Sequence, residues 1–326
     1  MESSGSQDQL EGDLEKDAMA TAVEDYRRAV RKEALKELWI GVLLVVVPLL
    51  FFLSGTISFQ ELFRIIYFVL GAVVVAFSLW ELKRAKTLTV QDWLEHQQAQ
   101  IFAESLNETK PYYAWLILGC LIAVGFCQPV FDAKDSIQAA GLVKEKVWQG
   151  EWWRLLTCTT LHANFLHIWM NGLSLLGLGK LIESLANRCY LPLVFLLSAI
   201  SGSFFSLILL PNATSVGASG GLMGLIGFLV VIGLRRKERL PINLSRNLLV
   251  NLFLIGVIGL VGIQFIDNAA HVGGLAAGFL IGSLTVSKAD HQVPIVAHRF
   301  TDSFGLISLL AIIGISAFSI VLIFRA

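Results

Sequence analysis

Gly217-Ala-Ser-Gly-Gly-Leu-Met-Gly-Leu-Ile-Gly-Phe-Leu-Val-Val-Ile-Gly-Leu234 carries no charge and opens on a serine set among glycines at 217, 220, 221 and 224. An apolar run of this length predicts a helix inside a bilayer rather than on a soluble surface. It is short and glycine-rich, which suits the crowded centre of a bundle, where helix backbones approach closely. The run 270–286 has the same character, with Gly274, Gly278 and Gly282 spaced four residues apart and therefore on one helix face. Seven more apolar runs surround these two, at about 38–57, 63–80, 113–132, 165–184, 190–210, 247–264 and 303–324.

The expected fold class is thus an all-α polytopic membrane protein with about nine transmembrane helices. Composition agrees: the 326 residues are 55% hydrophobic and 15% charged, with mean hydropathy +0.69, where a soluble chain carries about 25% charged residues. The formal net charge is zero, which gives no argument for nucleic acid. The first 35 residues are polar and acidic and lack an apolar core of signal-peptide type, so no cleavable signal is expected. Cys120, Cys127, Cys158 and Cys189 show neither metal nor disulfide spacing and read as packing residues.

The expected organisation follows from these runs. Residues 1–37 form a polar N-terminal segment, in which Met19 to Glu37 predicts a helix lying at the membrane surface or a solvated leader helix. Residues 38–80 form an accessory hairpin, 81–112 a polar linker, 113–286 the main bundle, 287–302 a loop and 303–326 a further helix.

With the N-terminus in the cytoplasm and the spans alternating, nineteen of the 25 Lys and Arg fall on the inner side. Only Arg64, Lys134, Lys144, Lys146, Arg154 and Arg325 remain outside. That asymmetry predicts a cytoplasmic N-terminus, an outside C-terminus, and Gly217 and His271 near the outer face. The outer loop 133–164 contains Trp148, Trp152 and Trp153 and is expected to dip into the headgroup layer.

Polar side chains inside apolar runs are costly and mark function by default. If a helix begins near Ser219, the first-turn N–H groups have no intrahelical partner and can stabilise a developing oxyanion. Taken alone, Ser219 also reads as an N-cap in a packing helix. His271 opens its own run at a helix N-terminus, where the dipole disfavours imidazolium, as a general base requires. Alone, it equally reads as a histidine bonded across helices. Upstream, His162-Ala-Asn-Phe-Leu-His167-Ile-Trp-Met-Asn171 sets His167 and Asn171 four residues apart on one face, and both can donate hydrogen bonds. His162 lies nearer the loop and reads as the residue that holds it in place. Zinc is the rival reading for these histidines, but no carboxylate stands among them and no HExxH occurs. No metal and no cofactor is expected. Asp267, four residues before His271, reads as a loop residue.

Together these features resemble the rhomboid intramembrane serine proteases. The matching stretches are GEWWRLLT (150–157), HANFLHIWMN (162–171), GASGGLMG (217–224) and AHVGGLAAG (270–278), within residues 113–286. The resemblance implies a six-helix core opening to water from the outer face and a Ser–His dyad without an acidic third member. Ser219 matches the nucleophile and His271 the base. His167, Asn171 and the Ser219 N–H match the oxyanion hole, and His162 the structural histidine. Trp153 and Arg154 match a structural pair in the first loop, and Gly274 and Gly278 the glycines that seat the histidine helix against the serine helix. Gly217 and Gly220 flank the nucleophile. The hairpin at 38–80 and the helix at 303–324 lie outside the six-helix pattern.

The implied activity is serine endopeptidase cleavage of transmembrane segments of other membrane proteins near the outer face, through an acyl-enzyme. The partners are transmembrane substrates and the lipid bilayer. The location is a multi-pass position in a membrane, the plasma or inner membrane if bacterial. Two other classes compete. One is a non-catalytic rhomboid-like protein that binds transmembrane clients, which would lack the serine or the histidine. The other is a small transporter, for which no inverted repeat is visible.

Overall fold

The computed structural model describes residues 2–56, 58, 66–128, 133–238, 240–261, 266–287, 293–296 and 299–325. Arg64, Arg239 and Lys288 of the loop charge pattern, and the ends of the runs 63–80, 113–132 and 247–264, lie outside the described residues.

Most of the described residues are helical: α1 (Glu2–Leu53), α2 (Ile66–Arg84), α3 (Val90–Glu108), α4 (Tyr112–Cys127), α5 (Ala133–Ala140), α6 (Lys144–Trp148), α7 (Arg154–Thr157), α8 (Phe165–Leu185), α9 (Tyr190–Leu209), α10 (Ser219–Arg235), α11 (Ile242–Val261), α12 (Asn268–Thr285) and α13 (Arg299–Ile323). The described part of each of the nine apolar runs falls mostly on one helix, and the chain is an all-α, multi-pass membrane protein. The helices differ in reach. Lys16–Leu53, Phe165–Leu185, Tyr190–Leu209 and Arg299–Ile323 are each long and apolar enough to cross a membrane. The others are shorter or more polar. The 17 residues of α10 rise only about 25 Å, against a hydrocarbon core of about 30 Å.

The chain divides into two compact units, Met1–Ile101 with Ile255–Gln264, and Phe102–Leu254 with Phe265–Ala326. In the first, α1 and α2 run antiparallel: a Cβ on Gly41 would sit 2.9 Å from Val75, and one on Gly71 would sit 2.7 Å from the Cβ of Leu44. The expected surface helix and first span are one continuous helix, because nothing between Met19 and Val47 breaks it and its only proline is Pro48, near the end. The hydroxyls of Ser54 and Thr56 then turn back to the carbonyl of Phe51, at 2.9 and 2.6 Å, and close the helix. Arg27 Nε donates to the Leu88 carbonyl at 3.0 Å, and Tyr26 stacks on His96 at 4.6 Å.

The second unit is built on close helix crossings. A membrane offers no hydrophobic drive between helices, so small residues that allow van der Waals contact set the packing. Gly179 of α8 meets Ala114 of α4, where a Cβ would come within 2.6 Å of the alanine methyl. The main apolar core gathers Ile117 and Leu121 (α4), Leu175 and Ile182 (α8), Leu191 and Phe195 (α9), Leu225 and Phe228 (α10) and Leu309 and Ile312 (α13). The C-terminal helix is thus part of this unit's core.

Helix ends are satisfied by side chains inside the same unit. Glu183 of α8 accepts the Ala114 N–H at 2.9 Å at the start of α4, a carboxylate at a positive helix end. Arg235 donates to the carbonyls of Ser283 (2.9 Å) and Val286 at the end of α12, a cation at the negative end.

Candidate active site

The loop 133–164 is assembled around a buried arginine. Arg154 is 2% exposed. Its Nε donates to Glu151 at 2.6 Å and its Nη1 to the Gly141 carbonyl at 2.7 Å. Its guanidinium lies 4.6 Å over the Trp153 ring, which meets Phe318 of α13 edge-on at 5.7 Å. Thr157 adds a hydroxyl bond to the Ala140 carbonyl at 2.6 Å. Leu142 thereby pairs as an isolated antiparallel bridge with Ser215, at 3.0 and 3.3 Å. Two residues on, the Gly217 N–H donates to the Cys158 carbonyl at 2.9 Å. The Trp153–Arg154 pair therefore fixes, through backbone contacts, the segment leading into Ser219.

His162 is 4% exposed and its backbone is clamped by one side chain. Gln128, at the end of α4, accepts the His162 N–H through Oε1 and donates to the His162 carbonyl through Nε2, both at 2.9 Å. Burial, with His167 adding a smaller push, lowers the His162 pKa from 6.5 to about 3. It is a neutral wall of the site, against which His167 stands edge-on at 5.1 Å.

α8 begins where Asn164, in extended conformation, caps it by accepting the His167 N–H at 2.9 Å. One turn later Asn171, 7% exposed, keeps its Nδ2 buried without a hydrogen-bond partner among the described residues. His167 and Asn171 converge on Gly217. A Cβ there would come within 3.0 Å of His167 Nε2 and 3.8 Å of Asn171 Nδ2. Gly217 has φ +133°, a backbone that L side chains rarely adopt, so both its conformation and its neighbours call for glycine.

Ser219 is the first residue of α10, and the N-cap position is occupied by Ala218, which makes no side-chain cap. The N-cap reading of Ser219 does not hold: its hydroxyl is not used to close the helix, and among the described residues no side chain accepts from the first turn. The packing part of that reading does hold. Methyl groups on Gly274 and Gly278 of α12 would overlap the carbonyls of Gly220 and Gly224. Gly202 of α9 closes the third side, where a Cβ would sit 2.6 Å from the Ala270 carbonyl oxygen. A Cβ on Gly220 would sit 3.5 Å from the Ala270 carbonyl oxygen, so the chain neighbours of Ser219 and His271 lie close. Among the described residues, no hydrogen bond joins the Ser219 hydroxyl to the His271 ring.

Asp267 is not an idle loop residue. It is the N-cap of α12, its Oδ1 accepting the Ala270 N–H at 2.9 Å. Asp267, Ser219, Ser203, Ser206, Ser215 and Cys158 line part of a cavity of about 20 Å³, room for one water molecule. The Cys158 thiol contacts Ser203 Oγ at 3.3 Å, and burial pushes its pKa up to about 12, so it stays protonated and is no rival nucleophile. Among the described residues no three His, Cys, Asp or Glu converge as a metal site. Gln128, Lys144 and Ser206 carry no motif in the sequence that marks them for the site. The Asp267 cap does leave a local signal, a side-chain acceptor three residues before Ala270 at the start of a periodic apolar run.

A model of the rhomboid domain matches residues 149–288, which hold all four motif stretches. The chain is 29% identical over 189 residues to rhomboid protease GluP of Bacillus subtilis (strain 168), covering 57% of this chain and 37% of that one. It is 35% identical over 167 residues to RHOMBOID-like protein 2 of Arabidopsis thaliana, covering 50% and 52%. It is 31% identical over 147 residues to putative rhomboid protease YdcA of Bacillus subtilis (strain 168), covering 45% of this chain and 73% of that one. The chain thus spans about half or less of the first two relatives and most of the third. With the rhomboid-domain match over residues 149–288 and a relative 31% identical that is covered over 73% of its length, this chain belongs to the rhomboid family.

Proposed function

We propose that the chain is an intramembrane serine endopeptidase that cleaves transmembrane segments of other membrane proteins near the outer face. Ser219 is the nucleophile and His271 the base. The observation that carries this reading is the unpartnered, buried Nδ2 of Asn171 beside Gly217 and His167, at the uncapped N-terminus of α10. A buried donor without an acceptor is costly in a resting protein, and an oxyanion formed above Ser219 would use it.

In the first step His271 takes the Ser219 proton as Oγ bonds to the scissile carbonyl carbon. The carbonyl oxygen becomes an oxyanion held by His167, Asn171 and the Ser219 N–H. The carbon–nitrogen bond then breaks, and the proton on His271 goes to the leaving amine. A water, for which the cavity beside Ser219 has room, gives a proton to His271 as its oxygen bonds to the acyl carbon; the bond from that carbon to Ser219 Oγ then breaks, and His271 returns the proton to Oγ. A helical substrate hides its peptide bonds, so a segment with helix-weakening residues is the better substrate. Trp148 and Trp152, edge-on at 5.7 Å and 61% and 49% exposed, suit a loop seated in the outer headgroup layer. The N-terminus is then cytoplasmic and the C-terminus outside.

The test is cleavage of a reconstituted transmembrane substrate carrying glycine near its outer end. Wild type cuts it and Ser219→Ala does not, at equal folded fraction. Cleavage by Ser219→Ala would overturn the assignment. A client-binding role without catalysis is favoured by one observation, the absent Ser219–His271 hydrogen bond, and predicts co-purification of the uncut substrate with wild type.

A further inference from the structure

Four polar side chains from four separate segments form a partly buried, hydrogen-bonded chain leading to the histidine helix. Lys144, at the start of α6 and 3% exposed, donates to Ser215 Oγ at 2.5 Å. Ser215 Oγ lies 3.1 Å from Ser206 Oγ on α9. Ser206 donates to Asp267 Oδ2, and Asp267 Oδ1 caps α12 through the Ala270 N–H at 2.9 Å. The next residue is His271, whose own N–H donates to the Asp267 carbonyl at 3.1 Å. We propose that Lys144 and Asp267 are one charge pair relayed through the Ser215 and Ser206 hydroxyls, and that Asp267 acts as a positioning residue, holding the first turn of α12 so that His271 faces Ser219.

Several observations point this way. Asp267, Ser206, Ser215 and Ser219 line the same small cavity, so the chain ends beside the reacting serine. Ser215 is also pinned to Leu142 by two backbone bonds, so the chain ties the outer loop to α9 and α12 at once. α12 has glycines at its contact with α10, which permit close approach but cannot fix rotation about the helix axis, and the Asp267 tie supplies that constraint. Burial lowers the Lys144 pKa and the Asp267 carboxylate opposes that shift, as expected for charges that interact at a distance. The other ionisable group that acts on His271 is His167 on α8. Removing one member of a partly buried pair leaves the other uncompensated, whereas removing both need not.

The inference rests on the reading of Ser219 and His271 as the reacting pair. Its test is a double-mutant cycle on the full chain in detergent, with Asp267→Asn, Lys144→Met and the double variant. Asn at 267 keeps an acceptor for the cap, and Met at 144 keeps the volume. The readout is the rate of labelling by a fluorophosphonate probe per folded molecule, with the unfolding midpoint measured alongside to set the folded fraction. Each single variant is expected to label about tenfold more slowly, and the double variant to recover to within about threefold of wild type. Singles that label at the wild-type rate, or a double variant whose loss is the product of the single losses, would overturn the relay while leaving the assignment of Ser219 intact. If folded wild type does not label, the reading of Ser219 fails, and the positioning role of Asp267 falls with it.

Discussion

At the scale of single residues, the site is organised by groups that find no partner among the described residues. Asn171 is the sharpest case, since its buried Nδ2 has no acceptor there. Asn171→Ala should therefore lower the cleavage rate about 10²–10³-fold and shift stability by less than about 1 kcal/mol, because no resting hydrogen bond is lost. Parallel measurement of turnover and unfolding midpoint checks both parts, and a stability loss that accounts for the activity loss would contradict the role. His162 bears on pH. Its folded pKa is about 3, below the ordinary 6.5, so the unfolded chain binds the proton more readily. The stability it contributes is complete above about pH 6.5 and is lost as pH falls toward 3, the loss reaching about 2 kcal/mol at pH 5. The unfolding midpoint of His162→Gln should fall less than that of wild type between pH 7 and pH 5; parallel curves would show that another group titrates. Ser219, His271, His167 and Asn171 stand out in the sequence because each is a polar side chain in or beside an apolar run. Gln128 is likewise a polar residue in an apolar run, but its role, like that of Lys144, is not legible, because their partners lie 34 and 71 residues away and such pairings exist only once the bundle is folded.

At the scale of elements, glycine spacing governs the helix crossing that carries the site. Gly278→Ala should clash with the Gly224 carbonyl and destabilise the protein by about 1–3 kcal/mol, the usual range for overpacking. Labelling of Ser219 should decline with it, because the same crossing brings Ala270 against Gly220. A thermal unfolding series on the glycines of α12 checks this, and an unchanged midpoint for Gly278→Ala would mean that the helices do not meet there. The helices on the nine apolar runs are legible in the sequence, and the four-residue glycine period alone marks the contact face of α12. The short helices α5, α6 and α7 are not legible, because pieces of 8, 5 and 4 residues carry too little sequence for a period to show. The start of α3 leaves a signal in Thr89-x-x-Asp92, a reciprocal cap in which Asp92 accepts the Thr89 N–H at 2.9 Å and Thr89 Oγ1 accepts the Asp92 N–H at 3.3 Å.

At the scale of the whole molecule, the α1–α2 pair belongs to a unit of its own, while α13 shares the core of the unit that holds the site. Composition and run lengths make the membrane class legible. The division into units is not, because it depends on which helix faces meet, and in lipid those faces look alike by hydropathy. Orientation is a property of the entire chain. In a cysteine-free background, Gln149→Cys should react with an impermeant maleimide added to intact cells and Lys237→Cys only after the membrane is opened; the reverse pattern would invert the proposed topology. The central claim, that Ser219 is activated by His271, is tested most directly by fluorophosphonate labelling of the solubilised full chain. Wild type should label, and Ser219→Ala and His271→Ala should not. A well-folded wild type that stays unlabelled, or a Ser219→Ala variant that labels, would contradict it.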